Sequence, residues 1–176
     1  EVARYIEDIA DCFCVAITDE GVDLRVAGIT KPVLVFTPPL GKDDIKRAEF
    51  YGLSVTVNSV ECAEICENLN CHIKVNTGMN RLGCNLGELP TVLKRLNPEK
   101  IKGIYSHLYA PENLERSKKQ LAVFNGAETL VRAKVPHICA HIAASGGFLR
   151  GGEFLKDGAR CGILLYGYAP AGFSAY

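Results

Sequence analysis

Short apolar runs of strand character alternate with longer helical runs along the chain, and this alternation restricts the fold more than any other feature. The strand-like runs are residues 12–17 (CFCVAI), 33–37 (VLVFT), 54–58 (SVTVN), 72–76 (HIKVN), 102–107 (KGIYSH), 137–142 (HICAHI) and 161–167 (CGILLYG). Helical patterns are expected over residues 1–9, 20–27, 43–51, 60–69, 86–96 and 114–134, with Thr18 or Asp19 as a start signal and Gly28 and Gly52 as stops. Strand and helix repeated in this way predict a parallel sheet, since each parallel crossover needs a covering helix. The strands read as apolar on both faces, as strands between helices and a core should. Seven strands behind an opening helix suggest an α/β fold of the TIM-like (β/α)8 barrel type, lacking its first strand. An open doubly wound sheet is the alternative, and the lack of any G-x-G-x-x-G counts against it. No linker or low-complexity tract divides residues 1–176, so one partial domain is expected.

Bulk properties narrow the function. Lys+Arg and Asp+Glu both number 20, so a formal charge of zero gives no electrostatic reason to expect a nucleic-acid or membrane partner. No apolar run approaches the roughly 20 residues that span a bilayer, and Glu1-Val2-Ala3-Arg4 has no signal-peptide organisation, so a cytoplasmic location is expected. Eight cysteines occur without a C-x-x-C pair or a zinc-finger histidine, so no metal is expected, and the thiols read as buried small hydrophobes in a reducing compartment.

In a parallel barrel the chemistry sits at the C-terminal ends of the strands and in the loops that follow. Those positions hold Phe36, Lys74, Arg81, His107, Ser145, Arg160, Gly162 and Ile163. Arg81 lies in the loop V-N-T-G-M-N-R-L-G (75–83) and offers a planar, bidentate clamp for carboxylate or phenolate oxygens. His107 is either a hydrogen-bonded structural residue or a neutral ring that stacks on a flat heteroaromatic ligand. Arg160 precedes an apolar run, so it needs either a carboxylate such as Asp157 or Glu153, or an acceptor on a ligand. Ser145-Gly146-Gly147, with the backbone at Gly162 and Ile163, suits a phosphate. Lys74 either snorkels to the barrel mouth or is tuned by Arg81.

Taken together, these segments resemble the alanine racemase family, the fold-type III enzymes that use pyridoxal phosphate. V-A-I-T-D-E-G-V-D-L-R-V-A-G-I resembles the family's second strand and helix, and P-V-L-V-F its third strand. V-N-T-G-M-N-R-L-G resembles the fifth-strand loop, G-I-Y-S-H the sixth strand, H-I-A-A-S-G the seventh and R-C-G-I-L-L-Y-G-Y-A-P the eighth.

The resemblance implies pyridoxal 5'-phosphate as cofactor, a small amino acid as substrate, and conversion of L-alanine to D-alanine for peptidoglycan by a homodimer. It implies that Arg160 contacts the pyridine nitrogen, that His107 lies against the ring, that Ser145, Gly162 and Ile163 hold the phosphate, and that Phe36 lies near the cofactor. Arg81 would reach the phenolic oxygen and substrate side, and Lys74 matches the lysine that is carbamylated in many members.

Departures accompany the match. Ala143-Ala144-Ser145 stands where the family usually reads A-N-S, and Asn76 stands where Asp is frequent. The K-A-x-A-Y-G-H-G-like segment with the Schiff-base lysine, and the tyrosine of the C-terminal β domain, are not among these 176 residues. The chain by itself is therefore expected not to racemise. A serine or other small amino-acid racemase, or a non-catalytic pyridoxal-phosphate-binding barrel, are the alternatives.

Overall fold

Phe13 and Val15, Val33 and Val35, Val55 and Val57, and Ile73 and Val75 recur at every second position, which in extended chain puts them on one face. A computed structural model, described over residues 1–173, builds that face into a parallel wall. Six strands pair in chain order: β1 (Phe13–Val15), β2 (Val33–Val35), β3 (Ser54–Val57), β4 (Cys71–Lys74), β5 (Ile101–Tyr105) and β6 (Cys139–His141). One residue further on, β7 (Ala143–Ala144) pairs in parallel with β8 (Ala159–Arg160) in a second, two-stranded sheet that follows the six-stranded one in the chain. A doubly wound sheet reverses its strand order at a switch point. Here every crossover adds the next strand on the same side, as in a barrel, and the wall is an arc of the (β/α)8 type.

The α-helices of the described residues are α1 (Val2–Ile6), α2 (Thr18–Val26), α3 (Lys42–Phe50), α4 (Val60–Ile65), α5 (Leu89–Arg95), α6 (Leu114–Lys134) and α7 (Ser145–Arg150). The strand valines and Ile73 share one buried cluster with Ala48 of α3, Ala63 of α4, Val92 of α5, and Leu121, Phe124 and Val131 of α6. Truncating a fully buried aromatic such as Phe124 to alanine costs about 3–5 kcal/mol in such a core.

Several expectations need correction. The run at 161–167 is not a strand. The last strand of the described residues is Ala159–Arg160, and Ile163–Tyr166 forms a 3-10 turn closed by Leu165 N–H to Gly162 O and Gly167 N–H to Leu164 O. Gly167 takes φ +79, a left-handed conformation that ends the turn and that a β-branched run would not adopt. Residues 7–9 and 86–88 are turns, so α1 and α5 are shorter than the pattern implied. Pro90 in the first turn of α5 lacks an N–H and disfavours helix before it. The helix expected at 60–69 stops at Ile65.

The thiols divide: Cys62, Cys66, Cys71 and Cys84 are buried, whereas Cys12, Cys14 and Cys139 are exposed and Cys161 is partly so. Nor are the strands apolar on both faces. Thr56, His72, Lys74, Tyr105 and His141 occupy the alternate, inward positions.

Candidate active site

Tyr105 is the centre of the inward face. Its ring lies parallel to His141 (centroids 5.1 Å apart, 2° between planes) and 5.8 Å from the Phe36 ring. Lys74 Nζ stands 4.7 Å from its centroid and the Arg160 guanidinium carbon 5.3 Å. The Thr56 hydroxyl donates to Val35 O (2.7 Å), so the 2.8 Å contact between Thr56 and Tyr105 has the phenol as donor. Burial pushes the phenol up to about 12, and it stays protonated.

Arg160 is held without a carboxylate. Nη1 donates to His141 Nδ1 (2.6 Å) and His141 O (3.1 Å), and Nη2 to Ser106 O (2.7 Å) and Ile142 O (3.4 Å). Of the two carboxylates suggested by the sequence, Asp157 binds Arg132 and the Ala140 N–H instead, and Glu153 makes no ion pair among the described residues. Four of the five guanidinium hydrogens are thus spent. Nε–H is the donor that has no acceptor among the described residues.

The same bonds fix two tautomers. His141 Nδ1 accepts from Arg160, so its proton sits on Nε2, which donates to His72 Nδ1 at 3.0 Å. Burial, and then the Arg160 charge, pulls His72 down to about 4 and His141 well below its usual range, so both rings are neutral. Gly103 makes room for them: a Cβ there would lie 2.3 Å from His72 Nδ1 and 2.5 Å from Cys139 O.

The loop after β4 is bound at its base and tip. Cys84 N–H donates to Lys74 O and Asn76 N–H to Cys84 O. Asn76 Oδ1 accepts from the Gly78 and Asn80 N–H groups, while its amide donates to Asn80 Oδ1. That last bond needs an amide donor at position 76. Gly83, at φ +129, closes the loop where a Cβ would lie 2.6 Å from Asn76 N.

Arg81 is exposed on this loop. Burial first, then Arg160 and Arg81, lowers Lys74 to about 8. Burial, Arg160, Lys74 and Arg81 lower His107 to about 4. Ser145 Oγ accepts from Gly162 N–H (3.2 Å) and Leu164 N–H (3.4 Å). Its own hydrogen, and the Ile163 N–H, have no acceptor among the described residues.

Arg81, Lys74, His107 and Arg160 therefore lie within one another's electrostatic reach at the C-terminal end of the wall, with Phe36 against Tyr105. Ser145, Gly162 and Ile163 meet at the corner beyond Arg160. Three cations gather here, and no ion pair among the described residues involves any of them. His72, Tyr105 and His141 were not singled out from sequence. The signal for them is inward spacing, His72 two residues before Lys74 and Tyr105 two before His107.

Three cations without an ion-pair partner among the described residues, and free donors at one corner of a barrel wall, mark an α/β domain whose rim suits an anionic ligand. Residues 1–170 match the family model described as the alanine racemase N-terminal domain. The chain belongs to that family. It is 36% identical to the alanine racemase of Carboxydothermus hydrogenoformans, over 97% of this chain and 50% of the relative. Among solved structures, the biosynthetic alanine racemase of Pseudomonas aeruginosa superposes with a TM-score of 0.86 at 25% identity, covering 99% of this chain and 51% of that one. The alanine racemase of Bartonella henselae, solved with covalently bound pyridoxal phosphate, gives 0.78 at 27%, covering 98% and 53%. The chain thus spans about half the length of the relatives it matches.

Proposed function

We propose that these residues form the cofactor-binding part of a pyridoxal-phosphate-dependent enzyme that interconverts L- and D-alanine, as a homodimer in the cytoplasm that supplies D-alanine for peptidoglycan. The observation that carries this reading is the Arg160 guanidinium, fixed through four hydrogens by neutral groups and left with one donor free among the described residues.

Pyridoxal phosphate, when bound, supplies an electron sink that acidifies the α-carbon of an amino acid. The residues present fit it. Arg160 would hold the ring nitrogen through Nε–H; since a guanidinium does not give up its proton at working pH, that nitrogen stays unprotonated and the sink is limited. His107, neutral, offers a flat face to the ring. The Ser145 hydroxyl and Ile163 N–H would hold the phosphate; the Gly162 N–H is donated to Ser145, so Gly162 acts by orienting that hydroxyl. Arg81 would hold the phenolic oxygen and the substrate carboxylate, with Phe36 as an apolar neighbour. An amine at about 8 is partly neutral at physiological pH, the form that reacts with carbon dioxide, so Lys74 suits carbamylation, and the resulting anion would orient Arg81.

The proton-transferring lysine and tyrosine of the family are not among these residues, so the 176-residue chain alone binds but does not racemise. Fluorescence titration of the chain with pyridoxal phosphate tests this. Expected is saturable binding, competed by inorganic phosphate and weakened roughly tenfold or more in Arg160→Lys, which keeps the charge but loses the fork. Binding that is absent, or equal in Arg160→Lys, would overturn the assignment, as would L-to-D alanine conversion by the chain alone.

A further inference from the structure

Gln120 lies on α6, outside the wall, and is almost fully buried. Its Oε1 accepts from the Tyr109 N–H (2.8 Å), and its Nε2 donates to His107 O (3.1 Å) and to Thr77 Oγ1 (3.0 Å). A backbone N–H can only donate and a carbonyl only accept, so the amide has one orientation. The chain beyond it also has one direction. The Ser106 hydroxyl donates to Val75 O (2.8 Å), so in the 2.7 Å contact between Thr77 and Ser106 it is Thr77 that donates. Ser106 O in turn accepts from Arg160. One turn earlier on α6, the Ser117 hydroxyl holds Ala110 O.

We propose that Gln120 is a positioning residue: its side-chain amide locks the loop that carries Arg81 to the segment that begins at His107, and so sets where both stand at the mouth of the wall. The assignment of Arg81 and His107 to the cofactor rests on the function proposed above; the lock itself does not. The residue type follows from the demand. One acceptor and two donors on a single planar group are needed, and among uncharged side chains only an amide supplies them. Glutamate keeps the acceptor but turns an oxygen toward His107 O and Thr77 Oγ1. Methionine fills the volume and supplies neither.

The test is hydrogen exchange followed by mass spectrometry on the 176-residue chain, with Gln120→Met and Gln120→Glu, and Leu121→Ala as a core-truncation control on the same helix. In Gln120→Met, exchange over residues 77–83 and 107–110 rises roughly tenfold or more above that of the control at matched global stability. With each protein compared with wild type at the same pH, Gln120→Glu behaves alike at neutral pH and closes the gap on mild acidification, when a protonated carboxyl regains one donor; the control's gap does not close. Should Gln120→Met fail to fold, Thr77→Val serves instead, and raises exchange over 77–83 while leaving 107–110 unchanged. Exchange in both segments within twofold of the control, or no recovery of Gln120→Glu with acid, would overturn the proposal. Pyridoxal phosphate titration of the same proteins separates the two readings. If the segments loosen but wild type binds no pyridoxal phosphate, the lock stands and the cofactor assignment falls. If wild type binds it and Gln120→Met weakens binding tenfold, both stand.

Discussion

Replacing Gly103 by alanine adds one methyl group at a point where the wall has no room for it. Gly103 lies in β5, paired with His72 of β4 on one side and Cys139 of β6 on the other. The new Cβ would stand 2.3 Å from His72 Nδ1 and 2.5 Å from Cys139 O, against a floor near 3.0 Å for real contacts, so His72 would have to retreat by about 0.7 Å or more. Movement of β5 away from His72 drives the methyl into Cys139 O, so the strand cannot absorb the strain. The 3.0 Å His72–His141 hydrogen bond is lost, and with it the contact that keeps His141 Nδ1 turned to Arg160. A broken buried hydrogen bond at about 1–3 kcal/mol plus overpacking at about 1–3 kcal/mol gives a destabilisation of about 2–6 kcal/mol. For a domain of this size that is a fall in Tm on the order of 5–20 °C. Thermal and urea unfolding of wild type, Gly103→Ala, His72→Ala and the double variant measure both. The alanine should cost less in the His72→Ala background, because one of its two walls is gone. A Tm change below about 2 °C in Gly103→Ala, or equal cost in both backgrounds, would refute the packing described for the inward face.

Acid should unfold this chain through its buried imidazoles. An unfolded histidine takes up its proton near pH 6.5, whereas folded His72 resists to about 4, so in that window the unfolded state binds more protons and stability falls as pH falls. His72 alone removes about 3 kcal/mol by pH 4, His141 and His107 shift in the same sense, and a stability that is flat from pH 7 to 4 in urea titrations would exclude neutral buried rings. Ser145→Ala strips Gly162 and Leu164 N–H of their acceptor; a loss of about 1–2 kcal/mol, with pyridoxal phosphate affinity down roughly tenfold, is expected by unfolding and binding titration.

How much of this was legible in the sequence depends on how local each signal is. α6 runs over the residues its pattern marked, because Asn113 caps it by accepting the Arg116 N–H and Val135-Pro136 ends it. The wall's order was legible too, since alternating strand and helix leave few ways to connect. Ile163–Tyr166 was not legible, because its β-branched and aromatic content reads as strand until the flanking Gly162 and Gly167 are allowed to close it as a turn.

At the site the division is by position on the strand. Residues at strand ends announce themselves, because a charged or imidazole side chain there interrupts an apolar run. Residues inside the wall do not. His72 and His141 look like incidental polar residues in β-rich segments until the register sets them 3.0 Å apart, and Gln120 looks like one more polar residue on a long helix. What joins the two sets is charge. Arg160 can be held by imidazoles only if they are neutral, since an imidazolium has no lone pair to accept with and would repel the guanidinium. Neutral partners in turn leave the positive charge of Arg160 uncancelled, and that charge and Arg81 add to burial, the larger cause, in pulling Lys74 down to about 8. A carboxylate paired directly with Arg160 would instead have cancelled the guanidinium's charge. The buried histidines are therefore part of the same design as the exposed arginine: they fix the guanidinium without neutralising it.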